Sequence, residues 1–157
     1  MVLIFGAIWM FEPFGDDELS EATDAEWVAE QRAALKDKRI TTGRFKSTEH
    51  GTREITSGWE PISDRIVEVL RDSPHFPPIG GGKPSVATDV ETKVAMMMRD
   101  EDAVIGVVVI NHPGGVCGGV MGCKTAVPVI LPEASTLYVW EPDKNEPVVL
   151  TGKGERG

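Results

Sequence analysis

Three short stretches of the 157-residue chain carry side chains that could act together. They are Asp89-Val90-Glu91 at the start of a helical pattern, Cys117 within the glycine-rich run HPGGVCGGVMGC, and Cys123 at the start of the next apolar helix. Two thiolates plus one further ligand leave the fourth position of a zinc ion open to water, the arrangement of catalytic rather than structural zinc. Helix N-termini and a cation both lower a thiol's pKa, so two helix starts converging beside a strand suit such a site. Glu91, close to the metal but not bound to it, could then shuttle the proton of that water. Each group also has a plainer use. Glu91 could complete a capping box with Thr88, Asp89 could be a first-turn acid favoured by the helix dipole, and the cysteines could be small core residues, a disulfide between them being less favoured.

Bringing these residues together needs a scaffold, and the hydrophobic pattern supplies one. Residues Ala103–Asn111 (AVIGVVVIN) form an uninterrupted, largely β-branched run, which predicts a central strand buried on both faces. Ahead of it, Val90, Val94, Met97 and Met98 mark a helix over Asp89–Arg99, and Pro61 opens another with Ile62, Ile66, Val69 and Leu70 on one stripe. Thr42–Lys46 and Thr52–Ser57 read as a hairpin turning at Glu49, His50 and Gly51; Ser73–Ser85, rich in proline and glycine, reads as loop. After the central strand come a short helix near Lys124–Leu131, where Pro128 fits only a first turn, and a hairpin pairing Thr136–Trp140 with Pro147–Thr151. The order predicts an α/β fold with a mixed sheet of about five strands flanked by helices and a C-terminal antiparallel hairpin.

The front of the chain is different. Met1–Phe11 is apolar but lacks the basic start and small-residue cleavage site of a secretory signal, and reads as a buried strand or a leader. Asp16–Lys38 is acidic at its front and basic at its back, with Leu19, Ala22, Trp27, Val28 and Leu35 on a helical period, an appended amphipathic helix. The division read from these patterns is 1–40 for the N-terminal segment and helix, 41–152 for the main domain and 153–157 for a polar tail.

Composition sets the outer bounds. Twenty-five acidic against sixteen basic residues give a net charge of −9, and two cysteines allow no disulfide scaffold. No run reaches the roughly 20 apolar residues of a membrane-spanning helix. Taken alone, the charge argues against a broad basic surface for nucleic acid. Yet ten of the acids precede Gly51, and between Ala103 and Trp140 only Lys124 and Glu133 carry formal charge. Net charge therefore limits non-specific affinity without excluding a pocket for one extruded base. Met96, Met97 and Met98 read as core packing, His50, His75 and His112 as loop residues, and Gly80-Gly81-Gly82 lacks the Lys-Ser/Thr that a phosphate-binding loop needs.

With these residues in view, Ser57–Gly152 resembles the bacterial DddA-like double-stranded-DNA cytosine deaminase toxins, a branch of the cytidine-deaminase superfamily. The resemblance is carried by Ser57-Gly58, by Thr88-Asp89-Val90-Glu91 with Lys93, Ala95, Met98 and Arg99, and by Val109-Ile110-Asn111. It continues through Cys117 and Cys123, Leu131-Pro132-Glu133, Leu137-Tyr138-Val139 and Leu150-Thr151-Gly152, with Thr42-Gly43-Arg44-Phe45 similar to the upstream strand. It implies a cytidine-deaminase-like α/β/α sandwich and zinc-dependent hydrolysis of cytosine to uracil in DNA, double-stranded DNA favoured and single-stranded possible. Asp89, Cys117 and Cys123 fall on the zinc ligands, Glu91 on the general acid/base, Asn111 on a position facing the nucleotide sugar, and Ser57 and Gly58 on the pocket rim. It also implies a secreted or delivered bacterial effector acting in the cytoplasm of a target cell, and a cognate immunity protein as partner.

This chain departs from the pattern in two places. The usual histidine ligand is Asp89, and five residues rather than two separate the cysteines. An Asp/Cys/Cys set brings three negative charges to zinc where His/Cys/Cys brings two, which makes the metal a weaker Lewis acid. Three outcomes stand open: Asp89 is a true ligand, the reading favoured here; His75 or His112 supplies a nitrogen; or the site is impaired and the domain a binding module. Deamination of RNA or of a free nucleoside is the alternative activity within the same fold.

Overall fold

The computed structural model describes residues 18–119 and 121–154. The apolar segment Met1–Phe11 and the end of the polar tail, 155–157, lie outside them. Strands β1 (Thr42–Ser47), β2 (Arg53–Thr56), β3 (Ile105–Ile110), β4 (Thr136–Trp140) and β5 (Val148–Thr151) form one sheet in the order β2-β1-β3-β4-β5. The helices are α1 (Ala25–Leu35), α2 (Pro61–Asp72), α3 (Val90–Glu101) and α4 (Cys123–Ile130), with 3-10 turns at Ser20–Thr23 and Ser85–Thr88. The mixed sheet and both expected hairpins are present. β1 runs antiparallel to β2 and β3, β4 is parallel to β3, and β5 returns antiparallel to β4.

β3 is central, and its alternation explains the three layers. Val108 and Ile110 point into a core with Phe45, Val90, Val94, Met98, Val127 and Ile130, so α2, α3 and α4 cover that face. Val107 and Val109 point the other way, into a second cluster with Val28, Leu35, Ala22 and Trp140. Successive β side chains face opposite sides, so a strand apolar at every position has to be covered twice. The expected amphipathic helix is that second cover. It is shorter than the pattern predicts, starting at Ala25 because the Asp24 carboxylate accepts the Glu26 and Trp27 amides and caps it. Trp140 Nε1 donates to the buried Ala22 carbonyl at 2.8 Å, and Arg44 Nε donates to Gln31 Oε1 at 2.9 Å, two polar contacts that tie this layer to the sheet.

Two features place α3. Gly43 of β1 leaves room for the helix start, because a Cβ there would lie 2.6 Å from Val90 Cγ1. Lys93, on the second turn and 1 % exposed, donates to the Thr56 carbonyl and to Glu60 Oε2, both at 2.8 Å, which clamps the end of β2 and the start of α2. Since α3 leads into β3, its N-terminus lies at the C-terminal edge of the central strand.

Pro128 corrects the sequence reading, for it is the sixth residue of α4 rather than part of a first turn. One helical hydrogen bond is lost there. Burial of Val127, Val129 and Ile130 offsets it, while Lys153 N donates to the Pro128 carbonyl at 2.7 Å and Arg99 Nη1 to the Ile130 carbonyl at 2.9 Å. The first residues of the polar tail thus pair with the end of α4. No helix among the described residues is long and apolar enough to cross a membrane.

Candidate metal centre

The starts of α3 and α4 meet at the C-terminal edge of β3. Asp89 is the N-cap of α3, yet its carboxylate caps nothing. It turns instead toward the sulfurs, with Oδ2 accepting from Cys123 Sγ at 3.1 Å and from Cys117 Sγ at 3.8 Å. The Cys123 amide, the first of α4, donates to Cys117 Sγ at 3.0 Å. One ligand atom from each of Asp89, Cys117 and Cys123 lies within 4.8 Å of the others, and both cysteines are free thiols.

The donor chemistry fits zinc. Two sulfurs and a carboxylate oxygen converge, a backbone amide already points at one sulfur, and two helix N-termini bring partial positive charge to the ligands. Burial, followed by the charges of Glu91 and Asp89, pushes the Cys123 thiol far up, so without a cation it stays protonated and donates to Asp89. A divalent ion reverses that balance by holding three anionic ligands together.

Glu91 stands apart from the triad. The capping box that Thr88 and Glu91 could have formed is absent, since Thr88 Oγ1 donates to the Ser85 carbonyl at 2.7 Å. The Glu91 carboxyl is therefore available, and it is buried at 4 % exposure. Burial is the main reason its pKa is pushed up to about 7; its own backbone N–H opposes the shift, and the Asp89 and Glu141 charges add to it. A carboxyl poised there both accepts and releases a proton near neutral pH.

These groups floor a cavity of about 290 Å³ whose walls include Ser57, Gly58, Thr41, Thr88 and His112. The rim is held, because the Ser57 amide donates to the Thr41 carbonyl at 2.9 Å and the Gly58 amide to the Thr88 carbonyl at 3.0 Å. Of the residues predicted from sequence, Asp89, Glu91, Cys117, Cys123, Ser57 and Gly58 share this one cavity. Asn111 lies just outside it. Its side-chain amide is occupied by backbone, accepting from Thr42 N at 2.8 Å and donating to the Ile40 carbonyl at 3.2 Å, and it lines a neighbouring cavity with Arg32 and Lys36. His112 stands on the rim outside the ligand triad, and His75 lines a separate cavity with Asp72 and Arg99.

One contributor has no sequence signal. Glu141, just after β4, accepts the Val116 amide on Oε2 at 2.7 Å and so holds the loop that carries Cys117. No motif or spacing relates Glu141 to that loop; parallel pairing of β3 and β4 brings the two strand ends together.

A mixed sheet covered on both faces, with a carboxylate and one thiol at two helix starts, a second thiol on the loop between β3 and α4 and a buried glutamate beside them, defines a deaminase-type domain. The chain belongs to the SCP1.201-like deaminase family, whose profile residues 20–156 match. That match takes in α1 as well as the stretch that carries the sequence resemblance. No curated protein matches the chain.

Proposed function

We propose that this domain deaminates cytosine to uracil in DNA by zinc-dependent hydrolysis, with double-stranded DNA the favoured substrate. The observation that carries the reading is the convergence of Asp89, Cys117 and Cys123 with the buried Glu91 on the floor of one cavity. Zinc held by those three residues would supply a Lewis acid that activates water for attack, a weaker one than a His/Cys/Cys site because of the third anionic ligand. The chain's own groups do the rest. Glu91 takes one proton from the water attacking C4 and passes it to the ring nitrogen N3; it then takes the remaining proton of the new C4 hydroxyl and gives it to the exocyclic amine, so that the C–N bond breaks, ammonia leaves and the C4 carbonyl forms. The Ser57-Gly58 rim and the α3 start confine the base against Glu91.

Secretion as a bacterial effector, action in a target cell and neutralisation by an immunity protein complete the proposal; their support is the resemblance of Ser57–Gly152 to secreted toxin domains. The test is direct. Zinc-loaded protein is incubated with double-stranded and single-stranded cytosine oligonucleotides, then with uracil glycosylase and base. Strand cleavage at cytosine positions is the expected result, and intact strands in both arms while zinc remains bound overturn the proposal. Conversion of a cytosine ribo-oligonucleotide alone would move the substrate to RNA.

A further inference from the structure

Next in sequence to Gly58, a residue of the cavity wall, stands one of a pair of side chains that the chemistry above does not use. Trp59 follows Gly58 directly and is 40 % exposed, a large aromatic surface left in water. The Lys83 ammonium lies over its ring, 5.0 Å from the centroid. Both partners are held in place. Arg71 of α2 donates to the carbonyls of Gly80 (2.8 Å) and Gly82 (3.3 Å), which pins the loop ending at Lys83. On the other side, Gly58 is bonded to Thr88, and Glu60 is paired with the buried Lys93 at 2.8 Å. Among the described residues no carboxylate lies within ion-pairing distance of Lys83.

A partly exposed indole with a lysine ammonium over its ring and, among the described residues, no carboxylate paired with that ammonium, matches one class of ligand well: a base with its phosphate. Aromatic rings take up bases through their π faces without regard to sequence, and a single lysine neutralises one phosphate. In a chain of net charge −9, discrete anchors of this kind have to replace a broad basic surface. We infer that Trp59 and Lys83 form the subsite for the nucleotide adjoining the one in the cavity, its base stacked on the indole and its phosphate paired with the Lys83 ammonium. The inference rests on the proposed action on a polynucleotide, and it makes Trp59 a determinant of polymer over free nucleoside.

The experiment measures binding of a fluorescein-labelled cytosine oligonucleotide by anisotropy, across a salt series, to zinc-loaded protein carrying Glu91→Gln, which holds substrate without turning it over. Adding Trp59→Ala is expected to weaken binding about tenfold or more, with Trp59→Phe recovering most of the loss. Adding Lys83→Ala is expected to lower the slope of log Kd against log salt by about one. Binding within twofold of the parent for Trp59→Ala, or no binding by the parent at all, overturns the inference. Oligonucleotide binding that depends on Trp59, in a wild-type protein that deaminates nothing, supports the subsite and overturns the proposed activity instead.

Discussion

Glu141 Oε2 accepts the backbone N–H of Val116 at 2.7 Å, and the same carboxylate fills the space beside Gly115. Gly115 has φ +69°, and a Cβ there would sit 2.0 Å from Glu141 Oε2. The end of β4 thus sets the position of Cys117 through one charge-assisted hydrogen bond and one missing side chain. Glu141→Ala is expected to lower zinc affinity about 10- to 100-fold, as loss of a group that orients a metal ligand does. Competition with a chromophoric chelator reads this. Gly115→Ala should have the same direction of effect, since it displaces the carboxylate and strains the backbone.

Glu91→Gln separates catalysis from assembly. The variant keeps the shape of the buried side chain and leaves Asp89, Cys117 and Cys123 untouched. Deamination should fall by at least about 100-fold, the usual contribution of a positioned acid/base, with zinc still near one per chain. Loss of zinc together with activity would place Glu91 among the ligands. Expressed in bacteria, wild-type protein should raise C-to-T mutation and Glu91→Gln should not.

The raised pKa of Glu91 has a consequence for the chelator-treated protein. Its ordinary value is 4.5 and its folded value about 7, so the neutral form is favoured in the fold. Its contribution to stability is fully present below about pH 4.5 and is lost as pH rises through about 7, on the order of 3 kcal/mol in total. Urea denaturation of metal-free protein between pH 4.5 and 8 should therefore show a fall that Glu91→Gln lacks. Equal pH slopes for the two proteins would contradict the assignment.

Zinc uptake should release protons. The Cys123 thiol, raised by burial and by the carboxylates around it, has to lose its proton to bind. Zinc affinity is expected to rise with pH, and calorimetry in buffers of different ionisation enthalpy should register at least one proton leaving per ion. Asp89→Ala should bring zinc content to near zero.

Lys93 tests how the rim is held. Lys93→Met keeps the packed stem but removes donors to Thr56 and Glu60. The partly buried Thr56 carbonyl then loses its partner, at a cost of about 1 kcal/mol. Chemical denaturation measures this loss.

Much of the scaffold is legible without coordinates. Ala103–Asn111 carries the β-branched signature of a strand covered on both sides, the Pro61 and Asp89 helices repeat their apolar residues at helical spacing, and both hairpins have turn residues between β-rich runs. Pro128 shows where local rules stop, because its tolerance inside α4 depends on hydrogen bonds from Arg99 and Lys153, distant in sequence. Glu91 shows the same limit from the other side. A TxxE pattern is equally a cap and a catalytic acid on paper, and the Thr88 bond to Ser85 decides between them.

By itself the sequence determined residue chemistry and local periodicity: a mixed sheet with helices, two acids and one cysteine at helix starts, a second cysteine in a glycine-rich run, and too few cysteines for a disulfide scaffold. Tertiary structure alone decided which of those groups meet. It turned Asp89 from a cap into a partner of both sulfurs, occupied the Asn111 amide with the β1 backbone, recruited Glu141 to the cysteine loop and set Lys83 over Trp59. The physical reason is that each of these contacts spans at least 24 residues of chain. Such contacts follow from strand order and layer packing, for which no local pattern codes.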